Sequence, residues 1–260
     1  MALRVANRPV GMILRSAADP AHLRGLAGAF RAYRRPWRAL ARYAGARGAY
    51  PWTAELRTPL GPRQVRCRSW HDLVTVHEVF ARRDYELGPA PATMLDCGAN
   101  IGVAALWALT LRPDARVHCV EPVESNLEEL RRSLAGLEDR YQVEAAAVAA
   151  EEGEVDFGLD RWGRYGGIGR ETGRQVKVRA RAIADVVDDC LARWGRIELL
   201  KIDVEGAELP ILRALDPERL SRVDAIAVEH DGALPDDLPL SGFSHRRRVD
   251  IHQLVAAPPR

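Results

Sequence analysis

The sequence predicts an α/β fold, a doubly wound and mostly parallel sheet preceded by an N-terminal helical arm and a β-hairpin. Two observations carry this expectation. From Thr93 onward, short apolar runs alternate with segments of helical periodicity, the pattern of successive β-α-β units. The first of those runs, Thr93 to Cys97, passes through small residues straight into a helix pattern, as ligand loops of open parallel sheets do. A chain of 260 residues with 47% apolar and 28% charged side chains can bury one substantial core plus an appendage, and this excludes a disordered, collagenous or disulfide-stapled chain.

Taken in order, residues 20 to 47 read as Ala- and Arg-rich helix interrupted near Pro36 and ended by Gly45 and Gly48. Thr53 to Thr58 and Arg63 to Ser69 form a hairpin pattern around Pro59, Leu60, Gly61 and Pro62. Leu73, Val76, Val79 and Phe80 make a helical stripe, and Gly88, Pro89 and Pro91 mark a linker. The expected organisation is therefore an arm at 1–50, a hairpin-and-helix lid, substrate or dimer region at 51–91, and the ligand-binding domain at 92–260. Within that domain the expected elements begin with strand Thr93 to Cys97, helix Ile101 to Leu111, strand Arg116 to Glu121, helix Glu124 to Leu134 and strand Tyr141 to Val148. Strands Glu154 to Leu159 and Gln175 to Ala180 follow, then helix Ile183 to Ala192, strand Ile197 to Asp203, helix Ala207 to Ala214 and strand Ala225 to Glu229.

Charge is uneven. Residues 1 to 60 hold eleven arginines against Asp19 and Glu55, a local charge of +9, while the whole chain carries +2. An acidic partner, a membrane surface or nucleic acid could meet such an arm, but its arginines alternate with Leu, Ala, Tyr and Trp at helical spacing, as on a solvated cap. Nucleic acid is not expected, because no RNA module or stacking pattern accompanies the charge. The longest charge-free stretch, Cys97 to Leu111, is shorter than the ~18 residues of a membrane helix, so no span is expected. No cleavable leader pattern follows Met1, and a cytoplasmic location is the expectation. Four widely spaced cysteines include no C-x-x-C pair and read as free buried thiols. Only Lys177 and Lys201 among the basic residues are lysines, which singles out Lys201.

The loop Asp96-Cys97-Gly98-Ala99-Asn100-Ile101-Gly102 requires backbone to approach a ligand closely. It lacks the G-x-x-x-x-G-K-[ST] of a triphosphate site. A dinucleotide site would normally have glycine where Asn100 stands, and Asp96 would repel its pyrophosphate. S-adenosylmethionine has no phosphate and carries an ammonium that Asp96 would attract, directly or through water. Glu121 lies 25 residues after Asp96, near the offset at which an acid accepts both ribose hydroxyls. Ala147, at the expected end of the third strand, would face the adenine edge.

The strings MLDCGANIG, VEPVESNLEEL, AAAVAAEEGEVDF, LLKIDVEGAELPILRAL and AIAVEH together resemble the FkbM family of S-adenosylmethionine-dependent methyltransferases over about residues 92 to 230. The segment Lys201 to Glu208 is the most specific of them. The resemblance implies a class I methyltransferase (Rossmann-like) fold, methylation of a hydroxyl on a sugar, glycan precursor or secondary metabolite, and Asp96, Gly98, Asn100, Gly102 and Glu121 as cofactor residues. One departure is Arg164 to Gly169, where glycines replace a serine-containing stretch and suggest a lid contacting substrate through Trp162 and Tyr165.

An alcohol attacking a sulfonium methyl needs a base or a metal to take its proton. The candidates at the carboxyl ends of neighbouring strands are Asp203, Glu205, Lys201 and His230. Alternation along an extended strand would set Lys201, Asp203 and Glu205 on one side. Lys201 could neutralise the two acids or, with a pKa lowered by burial, serve as base. Asp203, Glu205 and Glu229 could hold Mg2+, so metal-assisted and metal-free catalysis both stay open. The substrate would be a hydroxylated small molecule, free or carrier-bound, and the arm could build a homodimer. N-methylation, nicotinamide-dependent redox chemistry and a non-catalytic module docking an acidic partner are the alternatives.

Overall fold

The computed structural model describes residues 4–5, 8–9, 20–45, 48–159, 166–168 and 174–257. They form two compact units, Met1–Asp84 and Tyr85–Arg260.

In the first unit, helix α1 (Pro20–Ala32) is followed by α2 (Pro36–Tyr43), which Pro36 opens where its missing N–H has no intrahelical partner to lose. Strands β1 (Trp52–Thr58) and β2 (Gly61–Cys67) pair antiparallel, with Thr58 opposite Gly61, so the connection is the two residues Pro59 and Leu60. Helix α3 (Trp70–Val76) starts on a reciprocal cap. Ser69 Oγ accepts from the Asp72 N–H, and the Asp72 carboxylate accepts from the Ser69 N–H. It continues as a π-helical segment, His77–Arg82, against which α1 packs. The approach is close enough that a Cβ on Gly28 would stand 1.9 Å from the Ala81 carbonyl oxygen.

The second unit is built on a seven-stranded sheet. Its strands are β3 (Thr93–Cys97), β4 (Arg116–Val120), β5 (Tyr141–Glu144), β10 (Leu199–Ile202), β11 (Ala225–Glu229), β12 (Phe243–Arg248) and β13 (Ile251–Ala256), in the spatial order β12-β13-β11-β10-β3-β4-β5. Six strands run one way and β13 runs against them. A smaller sheet, β8-β7-β9-β6, joins β6 (Ala147–Ala149), β7 (Gly153–Leu159), β8 (Gly166–Ile168) and β9 (Arg174–Ala182). Helices α4 (Val103–Leu111) and α5 (Glu124–Ser133) follow β3 and β4, and α6 (Ile183–Trp194) precedes β10. Two short helices, α7 (Glu208–Arg213) and α8 (Pro217–Leu220), connect β10 to β11. The principal core joins Leu95, Cys97, Leu200, Ile202, Ile226 and Val228 of the sheet to Ile183, Val187 and Leu191 of α6 and Ile211 of α7. Burial of these side chains is the main stabilising term of the unit.

Two expectations are corrected here. The run Tyr141 to Val148 is not one strand. The Ala146 N–H donates to the Glu144 carbonyl at 3.1 Å, a three-residue turn that takes the chain out of the central sheet after Glu144 and into the smaller one at Ala147. The strand expected to reach Asp203 ends at Ile202. The hairpin β12–β13 had no sequence signal, because β12 is an exposed edge strand whose Ser244 to Arg248 present charge to water instead of an alternating apolar face. The four cysteines are free and buried. Among the described residues, no helix is long and apolar enough to cross a membrane. Of the glycine-rich stretch, Trp162, Tyr165 and Gly169 lie outside the described residues.

The hairpin carries a proton-sensitive joint. Nearly fully buried His252 places Nε2 3.0 Å from the Gly232 carbonyl and Nδ1 2.9 Å from His245 Nε2. A carbonyl oxygen only accepts, so His252 is protonated at Nε2 and accepts from His245 at Nδ1. Burial, with His245 and Arg247 nearby, pushes the His252 pKa below its ordinary value. The unfolded chain therefore takes up the proton first as pH falls, so this contribution to stability is full above the unfolded pKa and is lost below it. The thermal midpoint is expected to drop between about pH 7.5 and about pH 5.5, and His252→Gln is expected to flatten that dependence. Calorimetric scans of both proteins across this range check it; equal slopes would remove the role of His252.

Candidate active site

The loop after β3 is shaped by three left-handed residues, Gly98 at φ 78°, Asn100 at 49° and Gly102 at 78°. The N–H groups of Gly98 and Ala99 both donate to the Val120 carbonyl, at 3.0 and 3.1 Å, which ties the loop to the end of β4. On its other side the Asp203 N–H donates to the Cys97 carbonyl at 3.1 Å. A Cβ at position 98 would stand 1.8 Å from the Asp203 carbonyl oxygen, so glycine is required there for space as well as for φ. The two loops that leave β3 and β10 are thus in backbone contact.

Beneath them lies a buried charge cluster. Lys201 Nζ is 3.0 Å from Asp96 Oδ1 and 3.2 Å from Asp203 Oδ2, and it donates to the Gly98 carbonyl at 3.0 Å. The Tyr85 ring centroid is 5.8 Å from the same nitrogen. Asp96 has no exposed surface, whereas the Asp203 side chain keeps 25% of its own. Burial pushes the Asp96 pKa up, and Lys201 opposes that shift. Burial alone would lower the pKa of Lys201, but the neighbouring carboxylates of Asp203 and Asp96 outweigh it and the net shift is upward. Lys201 is a cation here and not a base, which corrects one of its two expected roles. The charge of Asp96 is already matched inside the protein, so the carboxylate of the cluster that reaches solvent is that of Asp203.

Glu121 follows β4 and is nearly fully buried, with burial raising its pKa. Its Oε1 accepts from the Val123 N–H at 3.0 Å and from Asn126 Nδ2 at 3.0 Å, while Oε2 accepts from the Asn100 N–H at 2.9 Å. A carboxylate oxygen has two lone pairs, so in this arrangement only Oε2 retains acceptor capacity. One ribose hydroxyl can be met there, where the sequence suggested both. Beside it, Asn100 Oδ1 is buried without a protein partner, a second acceptor available to a ligand. A nucleoside with an ammonium-bearing tail fits this donor and acceptor set.

The remaining candidates divide. Ala147 is buried at the start of β6, opposite Ala180 of β9, and not at the end of the third strand. Glu205 does not continue the alternation of Lys201 and Asp203, because the extended backbone ends at Ile202 and Glu205 turns left-handed at φ 62°. Its carbonyl faces β8, where a Cβ on Gly167 would stand 2.0 Å away, which accounts for glycine at that place. Glu229 ends β11, and the following His230 is partly exposed and held by its N–H to the Asp250 carbonyl at 3.0 Å. Among the described residues no group of three His, Cys, Asp or Glu is placed to hold a metal ion, so the Asp203, Glu205 and Glu229 set is not assembled and Mg2+ has no support. Sequence reasoning missed Glu208. It is nearly fully buried and accepts from the Val204 N–H at 3.3 Å and the Gly206 N–H at 2.9 Å, which fixes the loop after Asp203. Its offset from Asp203 was visible in the sequence, but an acid at the first turn of a helix reads as an ordinary end charge.

An open, mostly parallel sheet with a small-residue loop after its first strand and acids following its strands is the architecture of a class I methyltransferase. Residues 96–247 match the Methyltransferase FkbM domain, and the chain belongs to that family. It is 27% identical over 251 residues to the 31-O-demethyl-FK506 methyltransferase FkbM of Streptomyces tacrolimicus, spanning 77% of this chain and 95% of that protein. It is 24% identical over 178 residues to Methyltransferase 1 of Beauveria bassiana, spanning 58% and 70%. The solved Methyltransferase FkbM of Methylobacillus flagellatus overlays with a TM-score of 0.45 at 18% identity, covering 72% of this chain and 54% of that one. The chain is an S-adenosylmethionine-dependent methyltransferase of the FkbM type.

Lys201→Met should destabilise the protein by about 3–5 kcal/mol, because it strands the fully buried Asp96 without its counter-ion. Adding Asp96→Asn should recover most of the loss. Denaturant titration of the three proteins checks this, and a single variant as stable as the parent would show that the pair carries no such weight.

Proposed function

We propose that the protein transfers the methyl group of S-adenosylmethionine to a hydroxyl oxygen of a sugar, glycan precursor or secondary metabolite. The observation that carries the reading is the family membership, joined to a partly exposed carboxylate, Asp203, and a histidine, His230, that follow adjacent strands. The related Streptomyces protein is named for methylation at an oxygen of a natural product, which supports an oxygen acceptor here. A segment of the AMB antimetabolite synthetase AmbE of Pseudomonas aeruginosa is 32% identical over 229 residues, spanning 68% of this chain and 10% of that protein. That relationship supports a role in secondary metabolism.

When bound, S-adenosylmethionine supplies an electrophilic methyl carbon. Glu121 Oε2 accepts one ribose hydroxyl, and Asn100 Oδ1 takes a second donor from the nucleoside. Asp203 attracts the ammonium of the amino acid moiety, while the Gly98 to Gly102 backbone forms the floor. The chain's task is then to hold the acceptor oxygen at about 3–3.5 Å from that carbon and in line. His230 removes the hydroxyl proton as the oxygen attacks, becoming an imidazolium that, being partly exposed, returns the proton to solvent. Lys201, whose pKa the neighbouring carboxylates push up, keeps its proton and moves none.

Three measurements test this. Titration calorimetry of the folded chain should detect S-adenosylmethionine and its demethylated product, and Glu121→Gln should weaken both about tenfold or more. Mass spectrometry of metabolite extracts incubated with labelled cofactor should show one added methylene unit on an oxygen; a label found only on nitrogen would overturn the acceptor class. His230→Ala should lower kcat by roughly 100-fold to 10,000-fold with cofactor affinity unchanged. A variant that retains full turnover would remove His230 as the base.

A further inference from the structure

Helix α1 is turned inside out relative to an ordinary amphipathic helix. Its small residues Gly25, Gly28, Ala29 and Ala32 are buried within the first unit, and its large apolar residues point to water. Leu23 is 53% exposed, Leu26 44% and Phe30 44%, at spacings of three and four that place them on one ridge. Trp37, at the start of α2 and 72% exposed, extends the ridge through an edge-to-face contact with Phe30, with ring centroids 4.9 Å apart. Exposed arginines flank it: Arg24, Arg31, Arg34, Arg35 and Arg38. No acidic residue occurs between Pro20 and Gly45.

We propose that this ridge, Leu23, Leu26, Phe30 and Trp37 with its flanking arginines, docks the protein on an anionic membrane surface. Isolated exposed apolar residues are ordinary, but a contiguous ridge of four on helices whose opposite faces are already packed marks an interaction site. Charge decides the occupant. A second copy meeting the same ridge about a two-fold axis would bring two sets of arginines together, with Glu55 already paired to Arg35 at 3.5 Å and the helices themselves supplying no acid. A bilayer with anionic lipid answers both chemistries at once. Its phosphates accept from guanidinium groups and its acyl boundary takes up Leu and Phe, while a tryptophan at the margin is suited to the headgroup level. Helix α1 has 13 residues, which suffices to lie on the surface and not to span it. This inference is independent of the methyl-transfer chemistry.

Co-sedimentation of the full chain with sucrose-loaded vesicles tests it, using phosphatidylcholine alone against equal parts phosphatidylcholine and phosphatidylglycerol. Binding is expected to the anionic vesicles and not to the neutral ones, with release at ~0.5 M salt. The double variant Phe30→Ala and Trp37→Ala should bind at least about tenfold more weakly with an unchanged circular dichroism spectrum. Trp37→Phe should keep binding while losing most of the vesicle-induced blue shift of tryptophan emission, a readout that a general change in stability would not produce. Failure of the parent to sediment with anionic vesicles overturns the proposal, as does undiminished binding of the folded double variant. Sedimentation velocity showing a dimer that the double variant dissolves would assign the ridge to a second copy, and retention on polyglutamate but not on anionic vesicles would assign it to an acidic polypeptide; either overturns it too.

Discussion

The contact on which the rest of the catalytic unit depends is the ammonium of Lys201 held between Asp96 and Asp203. A lysine buried to this degree is costly to desolvate, and the two carboxylates together with the Gly98 carbonyl return that cost. The geometry also fixes register. Lys201 lies opposite Asp96 across the parallel pair β10–β3, so a slip of one residue would turn the lysine to the other face of the sheet and leave Asp96 alone in the core. One ion pair therefore specifies strand pairing and, through the Gly98 carbonyl, the path of the loop that follows β3.

Two backbone constraints complete what the ion pair begins. The Cys97 carbonyl receives the Asp203 N–H, and position 98 has no room for a side chain against the Asp203 carbonyl. Glu208 then holds the next turn through the Val204 and Gly206 N–H groups. The motif from Lys201 to Glu208 thus acts as a single mechanical part. Its first residue neutralises the core, its third keeps a carboxylate partly exposed, and its last locks the turn that separates them.

The alternation of strands and helices and the loop at Gly98 were legible in the sequence because burial imposes periodicity and close backbone approach imposes glycine. What stayed hidden was decided by neighbours distant in sequence. The chain leaves the central sheet after Glu144 because of a local turn and because Ala147 finds a partner in Ala180. Strand β12 carries polar side chains that satisfy no pattern and is extended because β13 offers it a ladder. The same limit applies to individual site residues. A count of alternating positions put Glu205 beside Asp203, but the extended backbone on which the count relied stops at Ile202, the second residue of the motif. Glu121 was found by offset, while the consumption of its Oε1 by Val123 and Asn126 could be seen only once those groups were in place.

These observations also relocate the electrostatic reason for favouring a sulfonium cofactor over a dinucleotide. The sequence placed the repulsion of phosphate at Asp96, yet that carboxylate is sealed beneath the loop and compensated by Lys201. Two carboxylates against one ammonium leave a single excess negative charge, and the only member of the cluster with appreciable exposure is Asp203. That excess reaches the surface at the Asp203 carboxylate, which keeps 25% of its exposure. A pyrophosphate there would meet an uncompensated carboxylate, and an ammonium would complete a neutral set of two acids and two cations. On the proposed reading, selectivity for the cofactor would come from the pair acting together: Asp96 holds the lysine in the core, and the lysine is one charge short of balancing both acids.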